Sequence, residues 1–556
     1  MSGAEGLGVS DAFEVVEEDL LGRVGRLYTP HGVVETPELA PVINPVRNVL
    51  PPSRVAEVGF SLLVTNAYII RRRYGDLALR MGVHGLLGVE KPVMTDSGAY
   101  QLMEYRSVDV DPVEIVKYQE RLGSDIGVIL DIPTRYGAPR RVVEAEVRET
   151  VRRAKLSLEA RERDDMILVG PVQGGTHLDL VAWSARELSK MGFEMYGIGG
   201  PTQIMEQYRY EELVDLIATA KSHLPPERPV HLFGAGNPMM LSLAVALGVD
   251  TFDSASYAHY ARDLRYMLSD GVVRVERLRD LPCSCPVCRR YDVETFLSLP
   301  REELEREIAL HNLYVIRAEL RRIRQAIHEG TLWELLELRA RSHPSLLQAL
   351  YRLRKYAKLL ERGHPATKPT VRGRFYYPTT SAWRPEVLRH VRRLLSNYEP
   401  PSSRCLLLLP ETEEKPFSRY GPISILASLL RSYVEEGLVH VVVYAFPFGP
   451  IPLELDDVYP LSQYERPRLL PLDDRLRVAK LVAAYARRFR GAYEWAILHR
   501  DVRGWGAAFY RLLLRELRAA LGAKKVSVTP VRAEEPYSSL AMRELLGEVR
   551  RLASET

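Results

Sequence analysis

Cysteine is scarce. The 556-residue chain has four, Cys283, Cys285, Cys288 and Cys405, too few for a disulfide framework in a chain of this size. Net charge is scarce too: 76 Lys and Arg stand against 72 Asp and Glu, leaving +4, so the overall balance does not announce a nucleic-acid partner. No uninterrupted apolar run is long enough to span a bilayer. The first twenty residues, MSGAEGLGVSDAFEVVEEDL, are acidic and lack an apolar centre. That excludes a signal peptide and makes the cytoplasm the expected compartment. Low-complexity segments are missing, as is any repeat beyond the strand–helix alternation described next.

What is present is an ordinary globular composition, 46% hydrophobic and 27% charged, in a chain long enough for two or three domains. The basic residues are overwhelmingly Arg, which suits phosphate contact and equally suits a surface of ion pairs. Between 38 and about 270, eight short apolar runs alternate with helix-like segments. The runs are 38–43, 61–68, 93–98, 126–132, 167–173, 195–200, 230–236 and 249–255. Amphipathic helices are expected over 139–164 and 203–223. Eight such units predict a TIM (β/α)8 barrel over 1–275. Asp96, Asp131, Gln173, Gly199 and Asp253 fall at the ends of these runs, where a barrel of this kind carries its active site. A cysteine-bearing loop and long charged helices occupy 276–365 and complete the catalytic domain. Gly363-His364-Pro365 reads as a boundary. A C-terminal α/β domain is expected over 366–556, with strands at CLLLLP, HVVVYAF, WAILHR and KKVSVTPVR and helices near 423–436 and 475–489.

Two constellations carry chemistry. Cys283-x-Cys285-x2-Cys288, with His311 downstream, supplies three thiolates and an imidazole, the closed tetrahedral set of a structural Zn2+ with no open catalytic position. Asp96 in TDSGAYQ and Asp253 in TFDSASY end two strand candidates. Two carboxylates in one pocket are what glycosidic chemistry requires, one as nucleophile on a sugar carbon and one for proton transfer. A lone Asp after a strand is equally a helix cap, and Asp131, before Pro133, reads either as a pocket residue or as a turn.

TDSGAYQ, LDIPT, VQGG, YGIGGPTQIMEQYRY, HLFGAGNP, DTFDSASY and the Cys3His set, in order from about 12 to 360, together resemble the tRNA-guanine transglycosylases, the archaeal branch in particular. The resemblance implies base exchange in tRNA: guanine, at position 15 of the D-arm, leaves and 7-cyano-7-deazaguanine enters, the first step of archaeosine formation. It makes Asp253 the nucleophile toward C1′, forming a covalent intermediate, and Asp96 the general acid/base. It makes Ser97, Tyr100, Gln101, Asp131, Gln173, Gly199 and Gly200 the substrate-binding set, with Tyr100 stacked on the base. It implies one Zn2+ per chain, tRNA as partner and a homodimer formed beside the zinc segment, and no nucleotide cofactor. Pro201-Thr202 and Asn237 depart from the family pattern.

LPETEEKPFSRY and FPFGPIPLELDDVYPLSQYE resemble a domain shared with archaeosine synthase. There a Cys, a Lys, a Ser and a His are active. Here Glu411 holds the Cys place and Lys415 remains, while Tyr420 and Ile423 hold the last two. A structural or tRNA-binding role follows, rather than a second active site. Two other readings of the chain, a synthase-like paralogue and a non-catalytic tRNA-binding subunit, are opposed by the retained Asp96, Asp253 and zinc ligands.

Overall fold

A computed structural model describes residues 12–99, 111–365, 367–371, 373–522, 525–529 and 535–554. It divides into two compact units at Pro365 and Ala366.

The first unit opens with an antiparallel sheet of β1 (Phe13–Asp19), β2 (Gly22–Thr29) and β3 (Gly32–Glu35). Eight parallel strands follow: β4 (Glu38–Pro41), β5 (Leu63–Asn66), β6 (Val93–Asp96), β7 (Ile126–Val128), β8 (Ile167–Val172), β9 (Met195–Ile198), β10 (Val230–Leu232) and β11 (Thr251–Ser254). Their order is β4-β11-β10-β9-β8-β7-β6-β5, and a parallel bridge between Val42 and Val64 joins the two ends. The sheet is therefore a (β/α)8 barrel, and each strand lies inside one of the eight apolar runs. The strands are apolar on both faces because one face packs the barrel interior and the other packs helices.

The interior is filled by Ala40, Val64, Met94, Ile126, Val128, Ile167, Val169 and Met195, together with Leu27 and Val34 from the N-terminal sheet. That sheet plugs one end of the barrel, each buried aliphatic side chain contributing about 1.5–3 kcal/mol. A fully buried ion pair fixes it there: Arg23 Nε donates to Asp250 Oδ1 at 3.0 Å, just before β11. The open end is the one where the strands finish.

One expected helix is two. The segment 203–223 breaks into Thr202–Glu206 and Tyr210–Lys221, because Tyr208 takes a φ of 56° and ends the first. After β11 come a hairpin, β12 (Arg265–Leu268) and β13 (Gly271–Arg274), and a 29-residue helix, Arg301–Glu329. Val287, Leu313 and Leu336 share one core with the barrel helices.

The second unit pairs β14 (Arg374–Phe375) with β18 (Tyr464–Glu465). Its main sheet holds β15 (Cys405–Pro410), β16 (Val439–Ala445), β17 (Gly449–Pro452), β19 (Trp495–Leu498) and β20 (Val526–Val528), in the order β17-β16-β15-β19-β20. Only β17 is antiparallel. Helices Leu472–Arg488, Val502–Leu521 and Ser539–Ser554 accompany it, and the expected strands at 405–410 and 440–446 are both present. Among the described residues no helix is long and apolar enough to cross a membrane.

Candidate active site and metal centre

A cavity of about 810 Å³ opens at the C-terminal ends of the barrel strands. Asp96, Asp131, Gln173, Gly199, Gly200 and Asp253 all line it. Residues from five stretches of chain meet there because each follows or ends a barrel strand.

Asp96 is the last residue of β6 and sits opposite Asn66 of β5. Asn66 Nδ2 donates to Asp96 Oδ2 at 2.9 Å. Burial, then the charges of Asp131 and Asp253, push the Asp96 carboxyl up to about 7, while the N–H groups of Gly98 and Ser97 pull the other way. A carboxyl titrating near neutrality both gives and takes a proton, as a general acid/base must. The turn after it requires glycine: Gly98 has φ +98°, and a Cβ there would lie 2.6 Å from Tyr68 Cβ.

Asp131 is pushed up to about 6, mainly by burial, against a donor from Gln173. Gln173 Nε2 donates to Asp131 Oδ2 at 2.5 Å, and its Oε1 accepts the Thr134 N–H at 3.0 Å. The two contacts fix which end of the amide is which. Gly199 is required by the same side chain, since a Cβ there would lie 2.0 Å from Gln173 Nε2. At Gly200 a Cβ would lie 2.8 Å from Thr134 O, and φ is +72°. The Gly pair lets the backbone of β9 pass directly over the amide.

Asp253 projects from β11. Its Oδ1 accepts the Gly234 N–H at 2.8 Å and lies 3.1 Å from His231 Nε2. The other ring nitrogen of His231 is 2.9 Å from Thr251 Oγ1.

Ser97 does not line the cavity. Its side chain is fully buried and its hydroxyl donates to Ile129 O at 2.8 Å, because the residue after Asp96 turns its side chain toward the neighbouring strand end. Tyr100 and Gln101 lie outside the described residues. Asn66 and His231 were missed by the sequence reading. Both are polar residues inside otherwise apolar strand runs, and that is a signal.

Cys283, Cys285, Cys288 and His311 bring their donor atoms within 4.8 Å of one another. Cys285 Sγ and Cys288 Sγ are 3.5 Å apart, and His311 Nδ1 lies 3.5 and 3.3 Å from them. Tetrahedral zinc with ordinary bond lengths needs edges of roughly 3.5–3.8 Å, so the set fits. His311 Nε2 donates to Met267 O at 2.9 Å, which turns the Nδ1 lone pair toward the sulfurs. The Tyr266 ring stacks on the imidazole at 3.6 Å, and its hydroxyl reaches Cys288 Sγ at 3.1 Å. A metal here joins the cysteine loop to the long helix, far along the chain.

A second group, His31, His84 and Asp125, is also close-set. Its two imidazoles face each other at 3.6 Å and 24°, so their in-plane lone pairs cannot meet at one ion. Asp125 instead accepts the N–H groups of His31 and Val93 and faces a nitrogen of each ring. It is a structural clamp.

The family model described as Queuine tRNA-ribosyltransferase matches residues 19–345, and one described as Domain of unknown function (DUF5591) matches residues 387–490. The tRNA-guanine(15) transglycosylase of Pyrobaculum aerophilum is 44% identical, over 87% of this chain and 93% of that protein. That of Aeropyrum pernix is 52% identical, over 68% of this chain and 74% of its own length. That of Methanocaldococcus jannaschii is 42% identical, over 84% and 70%. With the family match covering more than half of the chain, and with a carboxylate-lined barrel mouth beside a Cys3His cluster, the chain belongs to the queuine tRNA-ribosyltransferase family, the tRNA-guanine transglycosylases.

Proposed function

We propose that this protein exchanges guanine 15 in the D-arm of tRNA for 7-cyano-7-deazaguanine, the first step of archaeosine formation, through a covalent Asp253–ribose intermediate. The observation that carries the reading is one pocket holding Asp96, pushed to about 7 by burial and like charge, together with Asp253, which accepts N–H donors. Position 15 is supported by the relatives, which are tRNA-guanine(15) transglycosylases.

The division of labour follows from these environments. Asp253 attacks C1′ and the bond to guanine N9 breaks, the electron pair leaving with the base. Asp96 supplies a proton to the departing guanine and recovers one from the incoming base. Asp131 and Gln173, with the backbone at Gly199 and Gly200, form a polar wall suited to a purine's Watson–Crick edge. Tyr100 and Gln101 belong to the same proposed set by resemblance, and Ser97 contributes by shaping the turn below Asp96. The target base must leave its stack to reach so deep a pocket. Arg47, Arg262 and Arg265 line the cavity and suit the flanking phosphates.

One Zn2+ per chain, held by Cys283, Cys285, Cys288 and His311, cross-links the loop and helix and takes no part in the chemistry. A homodimer built on the helix-rich stretch after Cys288, and a cytoplasmic location beside the tRNA pool, complete the reading. The second unit is assigned a structural or tRNA-binding role. Glu411 is buried, accepting the Phe446 N–H and paired with Arg466 at 3.0 Å, and no cysteine stands in its place.

The test is release of labelled guanine from tRNA on addition of 7-cyano-7-deazaguanine, with a denaturing gel to trap the adduct. Wild type should give both. Asp253→Asn should bind tRNA yet give neither, and an adduct from that variant would overturn the nucleophile assignment.

A further inference from the structure

The two oxygens of Asp253 are treated differently by the fold. Oδ1 is held by Gly234 N–H and by His231 Nε2. No described residue makes a hydrogen bond to Oδ2, although the carboxylate lines the cavity.

His231 is placed with little freedom. It lies on β10 with 0% exposure, directly opposite Thr251 of β11 in the parallel register. Thr251 Oγ1 is 2.9 Å from its Nδ1, and the Phe233 ring packs edge-on against it at 4.6 Å. A Thr hydroxyl donating to Nδ1 leaves the ring proton on Nε2, aimed at Asp253. Thr251 O–H to Nδ1, then Nε2–H to Oδ1, satisfies every polar atom of the buried imidazole.

We infer that His231 is a positioning residue that ties down Oδ1 and thereby selects Oδ2 of Asp253 as the oxygen that meets the sugar. The inference rests on Asp253 being the nucleophile. In the first step a lone pair of Oδ2 forms the bond to C1′ as the bond from C1′ to N9 breaks, its pair leaving with guanine. Oδ1 is then the carbonyl oxygen of a glycosyl ester and keeps both N–H donors. In the second step N9 of the incoming base attacks C1′, and the Oδ2–C1′ pair returns to the carboxylate. The same two donors stabilise the charge that reappears. His231 donates one hydrogen bond throughout and neither gains nor loses a proton. The gain is in orientation and in stabilising the leaving carboxylate, so it falls on turnover and not on tRNA binding.

The experiment compares His231→Phe, which keeps a ring of similar shape without a donor, with His231→Gln, whose amide can place an N–H where Nε2 was. Exchange of labelled guanine in tRNA is measured as kcat and KM, alongside the rate of adduct formation in a single turnover. His231→Phe should lower kcat and adduct formation by roughly 10- to 100-fold, the loss of one hydrogen bond to a charged group, with KM for tRNA unchanged. His231→Gln should recover most of the rate. Thr251→Val, the same shape without the hydroxyl, should lower kcat by roughly 3- to 10-fold, and it decides the matter if His231→Phe does not fold. Wild-type kcat in His231→Phe, or in Thr251→Val standing in for it, overturns the inference. So does a His231→Gln variant as slow as His231→Phe. Asp253→Asn run in parallel separates the two failures. An adduct from that variant removes the nucleophile reading itself, whereas an inactive Asp253→Asn beside a fully active His231→Phe removes only the positioning role.

Discussion

Replacing Asp96 with Asn should stop exchange and also change how stability depends on pH. An ordinary Asp has a pKa near 3.8, and burial among Asp131 and Asp253 pushes Asp96 to about 7. The folded state therefore binds the Asp96 proton where the unfolded chain has released it. Between those two pKa values the native state holds more protons, so wild-type stability falls as pH rises, by about 1.4 kcal/mol per pH unit. The stabilisation from this group is fully present below about 3.8 and is gone above about 7. From pH 5 to pH 8 the integrated loss is about 2.6 kcal/mol. Asn carries no such proton. Groups remote from the pocket titrate in both proteins and cancel in the comparison, whereas Asp131, coupled to Asp96 by charge and itself pushed up to about 6, does not, so the double difference belongs to the coupled pair. The static effect of the substitution, an Asn66 amide now facing another amide, is the same at both pH values and cancels as well. Calorimetric melts of the barrel unit at pH 5 and pH 8 give the double difference. Asp96→Asn should gain about 2.6 kcal/mol on wild type between the two pH values, while guanine release is lost at both. Equal pH dependence in the two proteins would refute the burial of a neutral acid at this position, even if activity were lost.

Gly199→Ala should raise KM for the incoming base and cost about 1–3 kcal/mol of stability, since its Cβ would sit 2.0 Å from Gln173 Nε2 and drive that amide off Asp131; exchange kinetics with varied base check this, and unchanged KM contradicts it. Cys285→Ala should bring bound zinc below one per chain and lower the melting temperature, while the fraction that stays folded keeps most of its kcat; metal analysis finding no zinc in wild type contradicts the assignment. Sedimentation of the full chain should give twice the monomer mass, and a monomer at every concentration removes the homodimer.

Much of the barrel was legible in the chain because its signals are local. A strand buried on both faces has to be apolar throughout, and eight such runs with helices between them leave few architectures. The polar residues that close those runs, Asp96, Asp131, Gln173 and Asp253, had to face the open end, because the other end is plugged. The cysteine knuckle was legible for the same reason, its three thiols lying within six residues. His311 was proposed as the fourth ligand because it is the imidazole downstream that completes a tetrahedral set, and in the structure its Nδ1 faces the sulfurs.

What only the tertiary structure decided depends on residues far apart in sequence arriving at one place. Asn66 meets Asp96 because β5 pairs with β6 in that register, and His231 meets Asp253 because β10 pairs with β11. Ser97 looked like a binding residue in TDSGAYQ, yet its hydroxyl is claimed by Ile129 O across the strand end. The helix expected over 203–223 breaks at Tyr208, against a pattern that reads as continuous. The elevated pKa of Asp96 belongs to no motif at all, because it arises from desolvation and from two carboxylates supplied by other strands. Local pattern chose the barrel and put acids at its mouth. Closure of the barrel set their distances, their partners and the dielectric around them, and those quantities determine which acid holds a proton and which donors reach each carboxylate.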